Sequence, residues 1–365
     1  KLDKKNIIIA GGGTGGHLFP AIAIADEIKK NKYYKFVFFG SKYGMESSYF
    51  KKYGNDYYLI NIRGIQRSFS IKSLIVNLSF PFRFTFSFIK TLLIFIKINP
   101  VLIIGTGGYA SGIPLIVGAI LKKKILIQEQ NSVPGFTSKM LSKYADVACT
   151  AYDTVSTKLK CSSILTGNPI RRNLIEIDNK KAKKKLSIDN SFTLLIIGGS
   201  QGAKKINNFI ADNLDKINSK INIVWQCGIK NYQYIKNKSF NDNVMILPYI
   251  DDINIAYSAA DLVITRAGAL ALTEIAFFKK AMIVIPLKKS AQNHQFYNAK
   301  YYQSKKAGIL LEEDEIKKLP DIINKLSKRG DEIKQLQKNI ESIAKPKASK
   351  DIYNVIKKLL KDINV

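Results

Sequence analysis

The sequence is poor in acidic residues. It has 58 lysines and arginines against 28 aspartates and glutamates, which gives a formal net charge of +30 over 365 residues. Such an excess favours polyanionic partners, either nucleic acid or an anionic membrane surface. A coding bias that enriches Lys, Asn, Ile, Phe and Tyr together explains the same numbers, and both interpretations stay open. No basic-aromatic RNA-binding motif, zinc finger or helix-turn-helix pattern stands out, so a nucleic-acid partner is disfavoured.

Cysteine and histidine are also scarce, with three cysteines and two histidines. Cys149, Cys161 and Cys227 are far apart in the sequence, and no Cys-x-x-Cys pair offers metal-ligand spacing. We predict that they are buried thiols of a cytoplasmic protein, because secreted proteins use cysteine mainly in disulfide frameworks. The pattern predicts no metal site.

The sequence lacks an apolar run long enough to cross a bilayer. Its most apolar stretch, residues 63–98, is interrupted by Lys72, Pro81, Arg83, Lys90 and Lys97. A spanning helix needs about 20 mostly apolar residues. Two interpretations remain, which are helices packed in a core and a surface helix whose apolar face enters the lipid. Residues 57–128 contain no acidic residue, which favours the membrane for part of the stretch.

The sequence does contain a strand–glycine loop–helix pattern, which occurs three times. Residues 6–20 combine an apolar run, five glycines within six positions and a helix that opens near Pro20. Glycines let backbone N–H groups approach a phosphate at the positive end of the following helix. No Lys-Ser or Lys-Thr pair follows, which disfavours a P-loop, and the second strand ends in Gly40-Ser41 without the acid of a dinucleotide site. Residues 101–114 and 193–203 repeat the pattern.

Strands and helices alternate along the chain, and the alternation restarts near residue 193. The predicted fold class is α/β, with two doubly wound parallel-sheet (Rossmann-like) domains. Ligands of such sheets bind at the carboxyl ends of the strands. Two domains facing a cleft would therefore hold a nucleotide diphosphate on one side and an acceptor on the other.

Seven motifs over residues 6–300 resemble those of the MurG family, the N-acetylglucosaminyltransferases of peptidoglycan synthesis. They are Gly12-Gly13-Thr14-Gly15-Gly16-His17, Gly107-Gly108-Tyr109-Ala110-Ser111-Gly112, Glu129-Gln130-Asn131, Gly167-Asn168-Pro169-Ile170-Arg171, Gly198-Gly199-Ser200-Gln201-Gly202-Ala203, Thr265-Arg266-Ala267-Gly268-Ala269-Leu270 and His294-Gln295-x-x-Asn298-Ala299. The resemblance implies a GT-B fold. It also implies an inverting transfer of N-acetylglucosamine from UDP-N-acetylglucosamine to the C4 hydroxyl of the muramyl-pentapeptide of lipid I, which forms lipid II. No metal or other cofactor is implied.

The resemblance also assigns the domains. Residues 1–168 form the domain that takes the acceptor and associates with the membrane, and a C-terminal helix, 348–365, joins it. Residues 169–347 form the domain that binds UDP-N-acetylglucosamine. The protein is expected at the cytoplasmic face of the cell membrane as a peripheral protein, with lipid I and other cell-wall synthesis proteins as partners and no nucleic acid.

The same resemblance assigns roles to single residues. His17 is the implied general base, since the positive end of the following helix favours a neutral imidazole. Glu274 bonds both ribose hydroxyls, and the backbone of Ile250 contacts uracil. The implied substrate-binding residues are Thr14, Gly15, Gly16, Asn131, Arg171, Ser200, Ile250, Glu274 and Gln295. Further donor or acceptor contacts are implied for Gly13, Tyr109, Gly199, Gln201, Ala269, Leu270 and His294.

Two features of the first domain complete the prediction. Residues 63–98 are expected to dock on anionic lipids, with Ile75, Leu78 and Phe82 as apolar contacts beside Lys72 and Arg83. Gln128 stands where the family commonly has His, which puts a catalytic role of that position in doubt.

Two alternatives remain. One is a different GT-B enzyme, such as a UDP-sugar 2-epimerase, which needs catalytic acids and no lipid, or a diacylglycerol glucosyltransferase. The other is a non-catalytic basic module for membrane or nucleic acid, whose binding would be lost at high salt.

Overall fold

The structure is a computed structural model that describes residues 4–53, 56–64, 70–198, 202–238 and 240–361, without the side chains of 71–73. The chain divides into unit 1, Lys1–Arg172 with Lys347–Val365, and unit 2, Asn173–Pro346. The division thus falls after Arg172 and not after residue 168. The guanidinium Nε of Arg172 lies 3.8 Å from Glu27 Oε1 of the same unit.

Unit 1 alternates strands and helices. Its strands are β1 Lys5–Ala10, β2 Tyr34–Ser41, β3 Tyr57–Ile60, β4 Leu102–Gly105, β5 Lys124–Glu129, β6 Val147–Thr150 and β7 Ser163–Leu165. Its helices up to this point are α1 Gly15–Lys29, α2 Glu46–Tyr53, α3 Ile71–Leu78, α4 Phe80–Ile98, α5 Tyr109–Ile120 and α6 Phe136–Leu141. Pro81 does not break α4, because it occupies the first turn, where its missing N–H has no helical partner.

The described strands of unit 1 form one parallel sheet in the order β3-β2-β1-β4-β5-β6-β7. The middle of the central strand β1 is a continuous apolar run, with Ile7, Ile8 and Ile9 fully buried, because helices cover both faces of the sheet. The strand order reverses between β1 and β4, so the loops after these two strands are neighbours.

Unit 2 repeats this architecture. Its strands are β8 Thr193–Ile197, β9 Asn222–Gln226, β10 Val244–Leu247, β11 Leu262–Thr265, β12 Ala281–Val284 and β13 Ile309–Leu310, in the parallel order β10-β9-β8-β11-β12-β13. Its helices are α7 Asn179–Lys185, α8 Lys204–Asp212, α9 Ile229–Lys236, α10 Ile253–Ala259, α11 Ala269–Phe277, α12 His294–Ser304, α13 Leu319–Lys328 and α14 Gly330–Ile343. The order reverses between β8 and β11.

The last helix, α15 Ala348–Lys361, belongs to unit 1. Its apolar face, which includes Ile352, Ile356 and Leu360, joins the buried cluster of α1 and the central strands. The Tyr353 hydroxyl accepts a hydrogen bond from Asn31 Nδ2 at 2.7 Å, which fixes the helix on the end of α1.

Residues 63–98, for which the sequence left two interpretations, contain α3 and α4. One face of α4 is buried, and Phe95 packs edge-on against Phe39 of β2 with ring centroids 5.2 Å apart. The other face is exposed. Within the described ranges, no helix has the length and apolarity that crossing a membrane requires.

Candidate active site

The two glycine loops of unit 1 pack against each other at the carboxyl edge of the sheet. The register pairs Ala10 with Gly105, so the loops leave the sheet side by side. A Cβ on Gly108 would lie 2.4 Å from the carbonyl oxygen of Gly12, and a Cβ on Gly11 would lie 1.9 Å from Thr106 Oγ1. Only glycine permits this approach. The first two sequence motifs therefore form one surface, at the place where open α/β sheets bind ligands.

His17 lies half-buried in the first turn of α1, between the two loops. Its Nδ1 atom is 3.1 Å from the carbonyl oxygen of Thr106 and 3.1 Å from Oε1 of Gln130. Because both of these atoms accept hydrogen bonds, Nδ1 carries the proton and Nε2 keeps its lone pair. A Cβ on Gly107, which has φ +94°, would lie 2.7 Å from Nδ1, so this glycine makes room for the ring. The resulting tautomer can take a proton at Nε2.

Glu46, the first residue of α2, is fully buried beneath the first glycine loop. Its carboxylate accepts hydrogen bonds from the backbone N–H of Gly13 at 2.7 Å and from that of Ser41 at 2.8 Å. A Cβ on Gly12, Gly40 or Gly44 would lie within 2.4 Å of a Glu46 side-chain atom. The sequence predicted a loop whose N–H groups could bind an anion. In the structure, the N–H of Gly13 is bonded to a carboxylate of the protein itself, that of Glu46.

Tyr109 begins α5 and covers the same loop. A Cβ on Gly13 would lie 3.1 Å from its ring, and its hydroxyl is hydrogen-bonded to Ser41. Burial raises the pKa of Tyr109 above its ordinary value, so the phenol stays protonated at neutral pH. Tyr109 therefore lines the site beside Gly13 with an uncharged side chain.

The remaining predicted residues of unit 1 differ in exposure. Thr14 and Gly16 are exposed at the start of α1, and Gly15 is half-buried against the ring of Phe19. Asn131 follows β5, where its backbone N–H donates to Glu129 Oε1 at 3.1 Å. Arg171 is exposed at the end of the first segment of unit 1.

In unit 2 the corresponding edge is formed by the loops after β8 and β11. Gly198 and Gly202 flank the first of them, and Gly202 has φ +75° and would place a Cβ 2.1 Å from the carbonyl oxygen of Cys227. The predicted phosphate-binding residues Gly199, Ser200 and Gln201 lie outside the described residues. Ala269 and Leu270 form the first turn of α11, whose amino end directs backbone N–H groups out of this edge.

Arg266 and Glu313 hold the edge of unit 2 together. Nη1 of Arg266 donates to the carbonyl oxygens of Ile285 and Pro286 at 3.1 and 3.3 Å, and Nη2 lies 2.6 Å from Glu313 Oε1. The other oxygen of Glu313 accepts from Lys205 Nζ at 2.8 Å. Burial alone raises the pKa of Glu313, but the hydrogen bonds from Lys205 and Arg266 outweigh it and lower the pKa below its ordinary value. These contacts connect α8, β11, β12 and the segment Glu313–Lys318.

The predicted donor residues of unit 2 lie along this edge. Glu274 is buried in α11. The backbone N–H of Ile250 donates to Gln226 Oε1 at 2.9 Å, so a ligand at Ile250 would use its carbonyl or displace Gln226. Gln295 accepts from the N–H of Leu287 at 2.9 Å through its amide oxygen. His294 opens α12, with Nε2 3.0 Å from Gln292 Oε1.

The structure brings His17, Gly13 and Tyr109 together in unit 1, and Ala269, Leu270 and Glu274 on α11 in unit 2. Sequence reasoning missed Glu46 and assigned no role to Gln130 or Arg266, although both stand inside quoted motifs. Gly40 and Gly44, which both shortly precede Glu46, were the available signal. In the described part of the chain, no group of three or more His, Cys, Asp or Glu side chains has the arrangement of a metal site.

Comparison with known proteins gives two family models that cover most of the chain. The glycosyltransferase family 28 N-terminal domain matches residues 7–150, and the glycosyltransferase family 28 C-terminal domain matches residues 193–357. A protein of Flavobacterium psychrophilum is 40% identical over 370 residues, which cover 98% of this chain and 99% of that protein. A protein of Christiangramia forsetii is 38% identical, with 97% of each chain covered. Both are named UDP-N-acetylglucosamine–N-acetylmuramyl-(pentapeptide) pyrophosphoryl-undecaprenol N-acetylglucosamine transferase.

Two solved structures are similar to this chain over nearly its whole length. The crystal structure of Acinetobacter baumannii MurG superposes with a TM-score of 0.78 at 27% identity and covers 97% of this chain and 99% of that chain. The crystal structure of a protein named putative UDP-N-acetylglucosamine 2-epimerase, from Listeria monocytogenes, has a TM-score of 0.66 at 10% identity and covers 98% of this chain and 97% of that chain. The second likeness shows a shared fold alone.

Proposed function

Because the chain belongs to glycosyltransferase family 28, and within it to the MurG family, we propose that it transfers N-acetylglucosamine from UDP-N-acetylglucosamine to the muramyl-pentapeptide of lipid I. The acceptor C4 hydroxyl oxygen attacks the anomeric carbon, and the bond from that carbon to the β-phosphate oxygen breaks. The hydroxyl proton passes to the base, and UDP leaves with the bonding electron pair. Attack from the opposite face inverts the anomeric carbon and gives the β1–4 linkage of lipid II.

The observation that carries this proposal is the pair of oxygen atoms, of Thr106 and Gln130, that lie beside Nδ1 of His17. A general base must present a lone pair to the hydroxyl proton, and the contacts of Nδ1 with Thr106 and Gln130 leave Nε2 in that form. Such a base contributes about 10²–10⁴-fold to the rate. Thr14, Gly15, Gly16 and Asn131 remain proposed contacts of UDP-N-acetylglucosamine, and Gly13 and Tyr109 remain proposed contacts of the donor or the acceptor.

The donor would bind to unit 2. The amino end of α11 offers N–H groups and positive potential to a diphosphate, a role for which no metal is invoked. Glu274 would accept hydrogen bonds from both ribose hydroxyls, since a carboxylate can accept two at once. Gln295 keeps its amide N–H groups for sugar hydroxyls while its oxygen is bonded to Leu287. Ser200, Gly199 and Gln201 remain the proposed phosphate contacts, with Arg171 as a further one. His294 is a proposed contact beside Gln295, at the sugar hydroxyls.

Unit 1 would dock on the membrane through an apolar stripe on α3 and α4. The stripe consists of side chains that are 48–72% exposed: Leu74, Ile75, Leu78, Phe82, Phe86, Ile89, Leu93 and Ile96. On α4 its members recur every three or four residues, opposite the buried Ser87, Thr91 and Phe95, so they share one face.

Basic residues accompany this stripe. Lys90 and Lys97 are exposed and seven residues apart, which places them in one row beside the stripe. Arg83 is half-buried, so it is less available to lipid headgroups than its sequence position suggested. The combination is typical of a surface that inserts apolar side chains among anionic headgroups.

The test is release of UDP from UDP-N-acetylglucosamine with and without a soluble lipid I analogue, with mass spectrometry of the product. We expect UDP release only with the acceptor, and an acceptor heavier by one N-acetylhexosamine. UDP release without acceptor, or an epimerised sugar, would support the epimerase alternative instead. Binding of lipid or nucleic acid that disappears with salt, with no turnover of the nucleotide sugar, would support the non-catalytic module.

A further inference from the structure

Three carboxamide side chains lie buried behind His17. Gln128, Gln130 and Asn168 are each at most 1% exposed, and none of them was expected to act in the reaction. Gln128 lies near the end of β5, Gln130 directly follows that strand, and Asn168 follows β7. Burial of two glutamine side chains costs free energy unless their hydrogen bonds are satisfied. The direction of each amide is therefore set by its hydrogen-bond partners.

The amide of Gln130 can point in only one direction. Its Nε2 group donates to the carbonyl oxygen of Thr106 at 2.7 Å, to the backbone oxygen of Gln128 at 3.2 Å and to the Oε1 atom of Gln128. All these atoms only accept, so the nitrogen must face them. The oxygen of Gln130 therefore faces His17, where it lies 3.1 Å from Nδ1.

The next two amides hold Gln130 in place. Nε2 of Gln128 donates to Oδ1 of Asn168 at 3.1 Å. Nδ2 of Asn168 then donates to the backbone oxygen of Gln130 at 3.0 Å, which closes the chain of bonds into a ring. Each bond fixes the direction of the next, and buried networks of this kind strengthen cooperatively.

We infer that Gln130, oriented by Gln128 and Asn168, is a positioning residue that holds His17 in the Nδ1–H tautomer with the Nε2 lone pair available to the acceptor hydroxyl. The inference rests on the proposed function for the role of His17, while the tautomer itself is a property of the resting protein. Gln128 then also has a role: its side chain accepts a hydrogen bond from the Gln130 amide and so holds the Gln130 oxygen toward His17.

The tautomer can be observed directly in protein labelled with 15N-histidine, because the chain has only two histidines and a His294→Gln variant assigns the second signal. Two-bond 1H–15N correlation spectra distinguish the two neutral tautomers. At a pH where the ring is neutral, we expect Nδ1 of His17 to carry the proton in the wild type. Gln130→Met keeps the side-chain length and removes the amide, while the carbonyl oxygen of Thr106 stays beside Nδ1. In this variant we expect a detectable share of the other tautomer. Thr91→Val is the matched control, since it removes another buried polar group of unit 1 and should leave the spectrum unchanged.

The kinetic counterpart is a loss in kcat without a matching change in KM for UDP-N-acetylglucosamine. For Gln130→Met we expect kcat to fall about 10–100-fold, less than the ~10²–10⁴-fold that loss of a base costs. If the wild-type ring carries its proton on Nε2, or if Gln130→Met keeps the wild-type tautomer, the inference is wrong. If the tautomer behaves as expected but no N-acetylglucosamine is transferred by the wild type, the proposed function fails and the positioning role of Gln130 stands.

Discussion

The two units build the same edge from the same pattern but place their buried carboxylate differently. In unit 1, Glu46 bonds the N–H of Gly13, so the protein itself supplies the anion at the first glycine loop. In unit 2, Glu313 bonds the side chains of Arg266 and Lys205. Unit 1 thus uses its buried carboxylate on a backbone N–H of a glycine loop, whereas unit 2 uses its own on basic side chains. The N–H of Gly13 is therefore already bonded inside the protein and is not available to a phosphate.

Among the variants that test this difference between the units, removal of the Glu46 carboxylate should have the largest effect on stability. In Glu46→Ala the N–H groups of Gly13 and Ser41 lose a buried partner, which should lower the free energy of unfolding of unit 1 by about 2–6 kcal/mol. Hydrogen exchange of the amides of β1 and β2 measures this. Asp56→Ala, which removes an exposed ion pair with Lys35, is the control and should change exchange little. Unchanged protection in Glu46→Ala would show that Glu46 does not support the loop.

A Glu313 variant tests whether the contacts with Arg266 and Lys205 stabilise unit 2. The stability that these contacts contribute depends on pH. The pKa of Glu313 is lowered in the folded state, so its stabilising contribution is present above the unfolded pKa of about 4.3 and is lost as pH falls through the folded value. Glu313→Gln should lower stability by about 1–3 kcal/mol at pH 7. It should also flatten the loss of stability between about pH 5 and pH 3. Trp225, the single tryptophan, is buried in unit 2, and its fluorescence reports the transition. An equally steep pH dependence in both proteins would contradict the assignment.

The apolar stripe should distinguish the two units at a membrane. Replacing Phe82 and Phe86 together with Ser should weaken binding to phosphatidylglycerol vesicles about tenfold or more, because the apolar area that enters the lipid is lost. The matched control replaces Ile229 and Tyr234 of unit 2, which are also exposed, and should leave binding unchanged. Equal losses in both double variants would mean that the stripe is not the docking surface.

Tyr109→Phe should have the smallest effect. The ring that covers Gly13 stays, and only the hydrogen bond to Ser41 is lost, so the cost should be about 0.5–1.5 kcal/mol. Hydrogen exchange of the β1–α1 loop is again the measurement. A loss as large as that of Glu46→Ala would show that the hydroxyl, and not the carboxylate, fixes the loop.

The sequence was sufficient for the fold class and for the location of His17, because both depend on local patterns. An apolar run, a glycine cluster and a helix start predict a strand, a loop and its place at the carboxyl edge. The contacts of Glu46 with Gly13 and of Gln130 with His17 join residues 33 and 113 positions apart, and no local pattern encodes them. Likewise, α8 ends at Asp212, where the Asn213 side chain donates back to the carbonyl of Phe209 and a short 3-10 turn follows.

The central claim is that unit 1 supplies the base and unit 2 holds the donor, and one pair of variants tests it most directly. UDP affinity by calorimetry and kcat with a lipid I analogue would be measured for wild type, His17→Gln and Glu274→Gln. We expect His17→Gln to keep the UDP affinity of the wild type and to lose about 10²–10⁴-fold in kcat. Glu274→Gln should bind UDP about tenfold more weakly, as expected when a charge-assisted hydrogen bond is lost. Loss of UDP affinity in His17→Gln, with unchanged affinity in Glu274→Gln, would contradict the account.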